Sequence, residues 1–126
     1  MNARLILITA AILGALGVSL GAFGAHAFKA HLEATGRLET FETAVRYQFY
    51  HTLALMALGV LRFVRPDAVS LGTVAWLWLG GIIIFSGSLY LLCLTGLRWL
   101  GAITPIGGVL FIIGWVMLAV AAMRLA

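Results

Sequence analysis

Charge is what this sequence has least of. Only 10% of its 126 residues are Asp, Glu, Lys or Arg and 63% are hydrophobic, whereas a soluble domain carries about 25% charged residues. A mean hydropathy of +1.13 excludes an aqueous globular fold and makes a membrane the expected solvent. Cysteine is nearly absent: Cys93 stands alone, so neither an intramolecular disulfide nor a cysteine-based metal motif can form. There is also no GxxxxGK[ST] loop, no HExxH, no GxSxG and no pair of acids within an apolar run, which removes the usual scaffolds of NTPase, metallohydrolase and serine-hydrolase chemistry. The chain is not expected to be an enzyme, to hold a metal or to need a cofactor. Its net charge of +4 comes from eight Lys and Arg scattered between apolar runs. Without a continuous basic stripe, nucleic acid is not an expected partner.

What the sequence has in abundance is apolar length. Four runs, at about 5–25, 44–61, 71–94 and 105–122, approach the ~20 residues a helix needs to cross a hydrocarbon core. Lipid cannot satisfy backbone N–H and C=O groups, and the runs lack the alternation of barrel strands, so each is expected to be a helix. The expected fold is all-α: one integral membrane four-helix bundle over 1–126. The segment 28–43 holds Lys29, Glu33, Arg37, Glu39 and Glu42, with Leu38, Phe41 and Val45 at helical spacing, and reads as a short interfacial helix running into the second span. "RFVRPDAVS" forces an antiparallel hairpin, and Thr104 followed by Pro105 reads as the start of the last helix. Trp76, Trp78 and Trp99 suit an aromatic belt, with Trp115 deeper and packed.

Arg4, Arg62, Arg65 and Arg124 fall on one membrane face, and Lys29, Arg37, Arg46 and Arg98 on the other. The basic count is nearly tied; four spans put both termini on one side, expected to be cytoplasmic. Ala25-His26-Ala27 resembles a signal-cleavage site, but the preceding run is longer than the about 7–15 residues of a signal core. It is read as a retained span.

Gly14, Gly17, Gly21 and Gly24 recur at 3-4-3 spacing and so share one helix face, where small residues let backbones approach in a membrane. Gly87 and Gly107 extend this packing theme to the later spans. The polar residues inside or beside the runs are His26, Glu42, Arg46, Tyr47, Gln48, His51, Ser86 and Tyr90, and polar groups at such depth are candidate functional sites. Glu42 and Arg46 have the spacing of an intrahelical ion pair. His26 points nearly opposite the glycine face if the first helix stays regular.

The blocks "GALGVSLGAFGAHAFKAHL", "FETAVRYQFYHTLALMALG", "FSGSLYLL" and "TPIGGVLFIIGW" resemble the YgdD-type small membrane proteins, a domain-of-unknown-function family of bacteria with animal relatives. The resemblance spans nearly the whole chain and implies a multi-pass protein of the bacterial inner membrane with about four helices. It supplies motif positions but no reaction: Gly21, Gly24, His26, Tyr47, Gln48, His51, Ser86, Gly87, Tyr90, Thr104, Pro105 and Gly107. Three functions follow as alternatives. The first is a structural or accessory protein, its partners the lipid bilayer and either further copies of itself or another membrane protein. The second is a conduit for protons or a small polar solute around His26, Arg46 and His51. The third is a haem protein with His26 and His51 as axial ligands.

Overall fold

The computed structural model describes residues 1–125, and among these the regular structure is entirely helical: α1 (Ala3–Ala25), α2 (Lys29–Ala34), α3 (Leu38–Val64), α4 (Ser70–Thr95) and α5 (Leu100–Met123). α1, α4 and α5 are long and apolar enough to cross a membrane. α3 is the longest helix at 27 residues, but its first turns carry Glu39, Glu42 and Arg46.

Local chemistry sets the boundaries. Asn2 caps α1 by accepting the Leu5 N–H at 2.9 Å, satisfying one of the orphan donors of a helix start. α2 stops at Gly36, whose φ of 67° lies in the left-handed region that glycine enters without a Cβ penalty. The Arg37 N–H then reaches back to the Leu32 carbonyl at 2.8 Å. Gly96, φ 75°, ends α4 in the same way. The segment 28–43 is therefore divided: α2 is a separate helix anchored by the fully buried Leu32, and Leu38 onward already belongs to α3.

Two expectations fail here. The last helix begins at Leu100, because the carbonyls of Leu97, Arg98 and Trp99 accept from the N–H groups of Leu100, Gly101 and Ala102. Pro105 thus lies inside α5, and Thr104 is a buried residue rather than a cap. Trp78 is fully buried and belongs to the core, not to an aromatic belt, whereas Trp76 and Trp99 are exposed. The helical period places Trp78 beside Val74, Ala75 and Ile82, all buried on α4.

α3 and α4 pack against each other; α1 lies on α3, and α5 lies on α4. The α1–α3 register is antiparallel. A Cβ added at Gly14, Gly17, Gly21 or Gly24 would meet Thr52, Phe49, Val45 or Phe41 in turn, and at Gly59 it would meet Ile6 and Leu7. Between α4 and α5, Gly81 lies against Phe111, Gly107 against the backbone of Phe85, and Gly114 against the Trp78 ring. Gly87 differs from the expectation for a packing residue: nothing stands within 4 Å of where its Cβ would be. It faces outward from α4, so within one chain it packs against nothing.

Candidate functional site

The polar residues of the apolar segments separate into three groups. The innermost lies where α1, α3 and α4 meet. Gln48, buried on α3, donates from Nε2 to the Leu13 carbonyl of α1 at 2.9 Å. Its Oε1 accepts from the Tyr90 hydroxyl of α4 at 2.6 Å. Ser86, also buried, donates to the Ala44 carbonyl of α3 at 2.7 Å. One side chain thus links three helices, and a second repeats the α3–α4 link one turn away.

The second group joins α3 to α5. His51 is 4% exposed, which leaves water no role in satisfying its ring nitrogens. Nδ1 lies 2.8 Å from the Tyr47 carbonyl, so it must carry the proton. Nε2 accepts from the Trp115 indole N–H at 3.1 Å, so it must be bare, because an indole can only donate. These two partners select the neutral Nδ1–H tautomer. The imidazole also stacks on Phe111 at 3.5 Å and 6°, while Tyr47 stacks on Phe85 at 4.5 Å. Trp78 stands edge-on to the imidazole and 4.5 Å from Trp115. His51 is therefore a strut in an aromatic stack.

The third group is at the start of α3. Arg46 donates to Glu42 at 3.1 Å and to Glu39 at 2.9 Å. The Glu42 pair has the favourable i,i+4 geometry, and Glu39, seven residues away, completes a triad that spacing rules for single pairs do not anticipate. All three side chains are 46–77% exposed, so the triad belongs to the surface, where such pairs contribute at most about 1 kcal/mol. A crevice of about 190 Å³ between it and the glycine end of α1 is lined by Gly21, Gly24, Phe41, Val45, Glu42 and Arg46.

His26 joins none of these groups. It is the exposed C-cap residue of α1, its N–H bonded to Ala22 at 3.1 Å. The register that pairs Gly24 with Phe41 and Gly14 with Thr52 sets His26 level with the first turn of α3. His51 lies about twelve residues deeper, or about 18 Å at 1.5 Å per residue. The expected cluster of His26, Arg46 and His51 is thus pulled apart, and two axial ligands of one haem iron cannot come from residues so offset, one with both nitrogens engaged. Among the described residues there is also no group of three or more His, Cys, Asp and Glu able to hold a metal ion. The five best-formed crevices among the described residues are not lined by Gln48, His51 or Ser86.

The sequence reading missed a fourth link. Ser88 and Thr104 share a hydrogen bond of 2.6 Å between α4 and α5, both buried. Ser88 lies two residues after Ser86 in "FSGSLY", so the two serines point to different neighbours; that doubled spacing was the available signal. Trp115 as partner of His51 had no signal in the sequence.

Residues 20–108 match the family described as Protein of unknown function (DUF423). Similar chains are named UPF0382 membrane proteins. One from Staphylococcus saprophyticus is 48% identical over 118 residues, covering 90% of this chain and 96% of the relative. One from Staphylococcus aureus is 45% identical over 123 residues, covering 98% of each. The Bacillus subtilis protein YwdK is 43% identical over 121 residues, covering 96% of this chain and 98% of the relative. No solved structure matches. These names carry no activity, substrate or cofactor. With the match covering most of its length, and with relatives above 40% identity from end to end, this helical membrane protein belongs to the DUF423 family.

Proposed function

We propose that the chain is a four-span accessory protein of the bacterial inner membrane, a rigid helical element that acts by associating with further copies of itself. The observation that carries this reading is the use made of the buried polar side chains. Gln48, Ser86, Tyr90, His51, Ser88 and Thr104 each bond another helix, which suits fixing register better than binding or carrying a solute. α3 serves as the fourth span, its 27 residues being about 40 Å long with charge near both ends. α2, carrying Lys29, His31 and Glu33, lies along the interface. Cytoplasmic termini follow from counting Arg46 within the span, which leaves Arg4, Arg62, Arg65 and Arg124 at the terminal end against Lys29, Arg37 and Arg98 at the other.

Gly87 supports self-association. It is the one glycine of the helices with open space before it, and it lies in an apolar groove of about 490 Å³ with Ile83, Ile84 and Leu91, where a neighbouring helix could approach closely. Native mass spectrometry from mild detergent, with cross-linking in intact membranes, is expected to give an oligomer that Gly87→Leu dissociates without lowering thermal stability. A monomer in both measurements would overturn self-association, and a cross-linked foreign chain would replace it with a partner. In liposomes, proton flux equal to that of empty vesicles is expected; flux abolished by His51→Gln would establish the conduit instead.

A further inference from the structure

The two ends of the helical array differ in how their basic residues are placed. At the α2 end, Arg46 is held by Glu39 and Glu42, and Lys29 lies 3.9 Å from Glu33. Arg37 and Arg98 at that end have no acid among the described residues but line no common crevice. At the terminal end, among the described residues, only Arg65 has an acid, Asp67, whose carboxyl the hydrogen bonds from Arg65 hold below its usual range. Arg4 and Arg62 have no carboxylate partner among the described residues, yet both line one crevice of about 370 Å³ between the start of α1 and the end of α3. The other lining residues are Asn2, Ala3, Phe63 and Pro66, none of them acidic.

Arg62 is held in place rather than free. It donates from one terminal nitrogen to the carbonyls of Arg65 and Pro66, while its Nε is buried without a partner. Arg4 projects from the first turn of α1, where unbonded N–H groups and the helix dipole add positive potential. Phe63, 75% exposed, gives the rim an apolar surface. We infer that this crevice binds the headgroup of an anionic glycerophospholipid, its single phosphodiester taken by Arg4 and Arg62 and its acyl chains running beside Phe63. Guanidinium forks match the paired oxygens of a phosphodiester. A zwitterionic headgroup would bring a second cation to a crevice with no acid to receive it. Basic pockets between membrane helices commonly hold anionic lipids for this reason. The site depends on the chain lying in a bilayer and is independent of self-association.

The full chain, purified in a non-ionic detergent, is titrated with dioleoyl phosphatidylglycerol or dioleoyl phosphatidylcholine and the retained lipid is read by native mass spectrometry. Each juxtaposed basic side chain contributes severalfold, so the wild type is expected to favour phosphatidylglycerol by roughly tenfold or more. Arg4→Gln with Arg62→Gln should erase the preference. Lys29→Gln with Arg98→Gln removes the same charge from the opposite end and should keep it. Equal retention of the two lipids by the wild type, or an equal loss in both double variants, would overturn the site. Inorganic phosphate in large excess should leave the bound lipid in place; displacement would reassign the crevice to free phosphate. Should the Arg62 variant fail to fold, Arg4→Gln alone decides, because the Arg4 side chain makes no hydrogen bond or ion pair among the described residues. A loss of about fivefold supports the site, and an unchanged preference refutes it.

Discussion

The α1–α3 seam and the α4–α5 seam are built from the same device, glycines opposed by bulky residues of the facing helix, yet they differ at one glycine, Gly107, in what is touched. On α1, Gly17 and Gly24 face the rings of Phe49 and Phe41, and Gly14 and Gly21 face the ends of Thr52 and Val45. These are side chains that can turn about χ1. On α5, Gly107 faces the backbone nitrogen and Cα of Phe85, which cannot turn away without moving a helix. Membrane helices gain little from excluding lipid, so close packing supplies most of their association. Where backbone meets backbone, the fit has no slack; where backbone meets a ring, it can adapt.

Gly107→Ala should therefore do the most harm. Its methyl group would occupy the space of Phe85 main-chain atoms, and overpacking without a rotamer to absorb it costs about 3 kcal/mol or more. Unfolding in mild detergent, followed by thermal shift or steric trapping, is expected to show this loss, with no recovery in Gly107→Ala combined with Phe85→Leu, because leucine keeps the same backbone. Gly24→Ala comes next, at about 1–2 kcal/mol, since the Phe41 ring must move. Here Phe41→Leu should restore part of the loss. Rescue at Gly107, or none at Gly24, would erase the distinction between the seams.

The glycine face of α1 was legible because its spacing follows the helical period directly. Its partner face was available too: Phe41, Val45, Phe49 and Thr52 recur at nearly the same spacing, and aligning the two series gives the observed register. Three features were not legible from local rules. Tryptophans near span ends usually lie at an interface, but the burial of Trp78 depends on which face of α4 meets a neighbour. Thr104-Pro105 satisfies a helix-start pattern, yet carbonyls two turns earlier had already nucleated α5. His26 and His51 are both near polar segments in sequence, and only the antiparallel register separates them in depth. Of the polar candidates, Gln48, His51 and Ser86 are buried while His26, Arg46 and Tyr47 are exposed; the partners of the buried ones, among them a carbonyl of α1 and an indole of α5, are long-range facts that composition does not encode.

Polar links should weigh less than backbone contact. Gln48→Leu leaves the Leu13 carbonyl and the Tyr90 hydroxyl unpaired, and hydrogen bonds between membrane helices average about 0.6 kcal/mol with a maximum near 1.7. A loss of roughly 1 kcal/mol is expected across both bonds. A double-mutant cycle with Tyr90→Phe should return a coupling of about half that value, since the bond to Leu13 survives in the Tyr90 variant. A loss as large as that of Gly107→Ala would mean that the polar core, not the glycine seam, sets the fold's stability.

The smallest effect is expected at Gly87, and it tests the premise of the comparison. If glycine in these helices matters through what it touches, a glycine touching nothing should be dispensable to the fold of one chain. Gly87→Ala adds a methyl group to open space and removes the conformational freedom that makes glycine unfavourable in a helix, by up to about 1 kcal/mol. Measured at a dilution where the chain is monomeric, its unfolding should match the wild type or lie slightly above it. A clear destabilisation there would show that glycine acts in these helices through backbone properties rather than contact, and the ranking of the two seams would lose its physical basis.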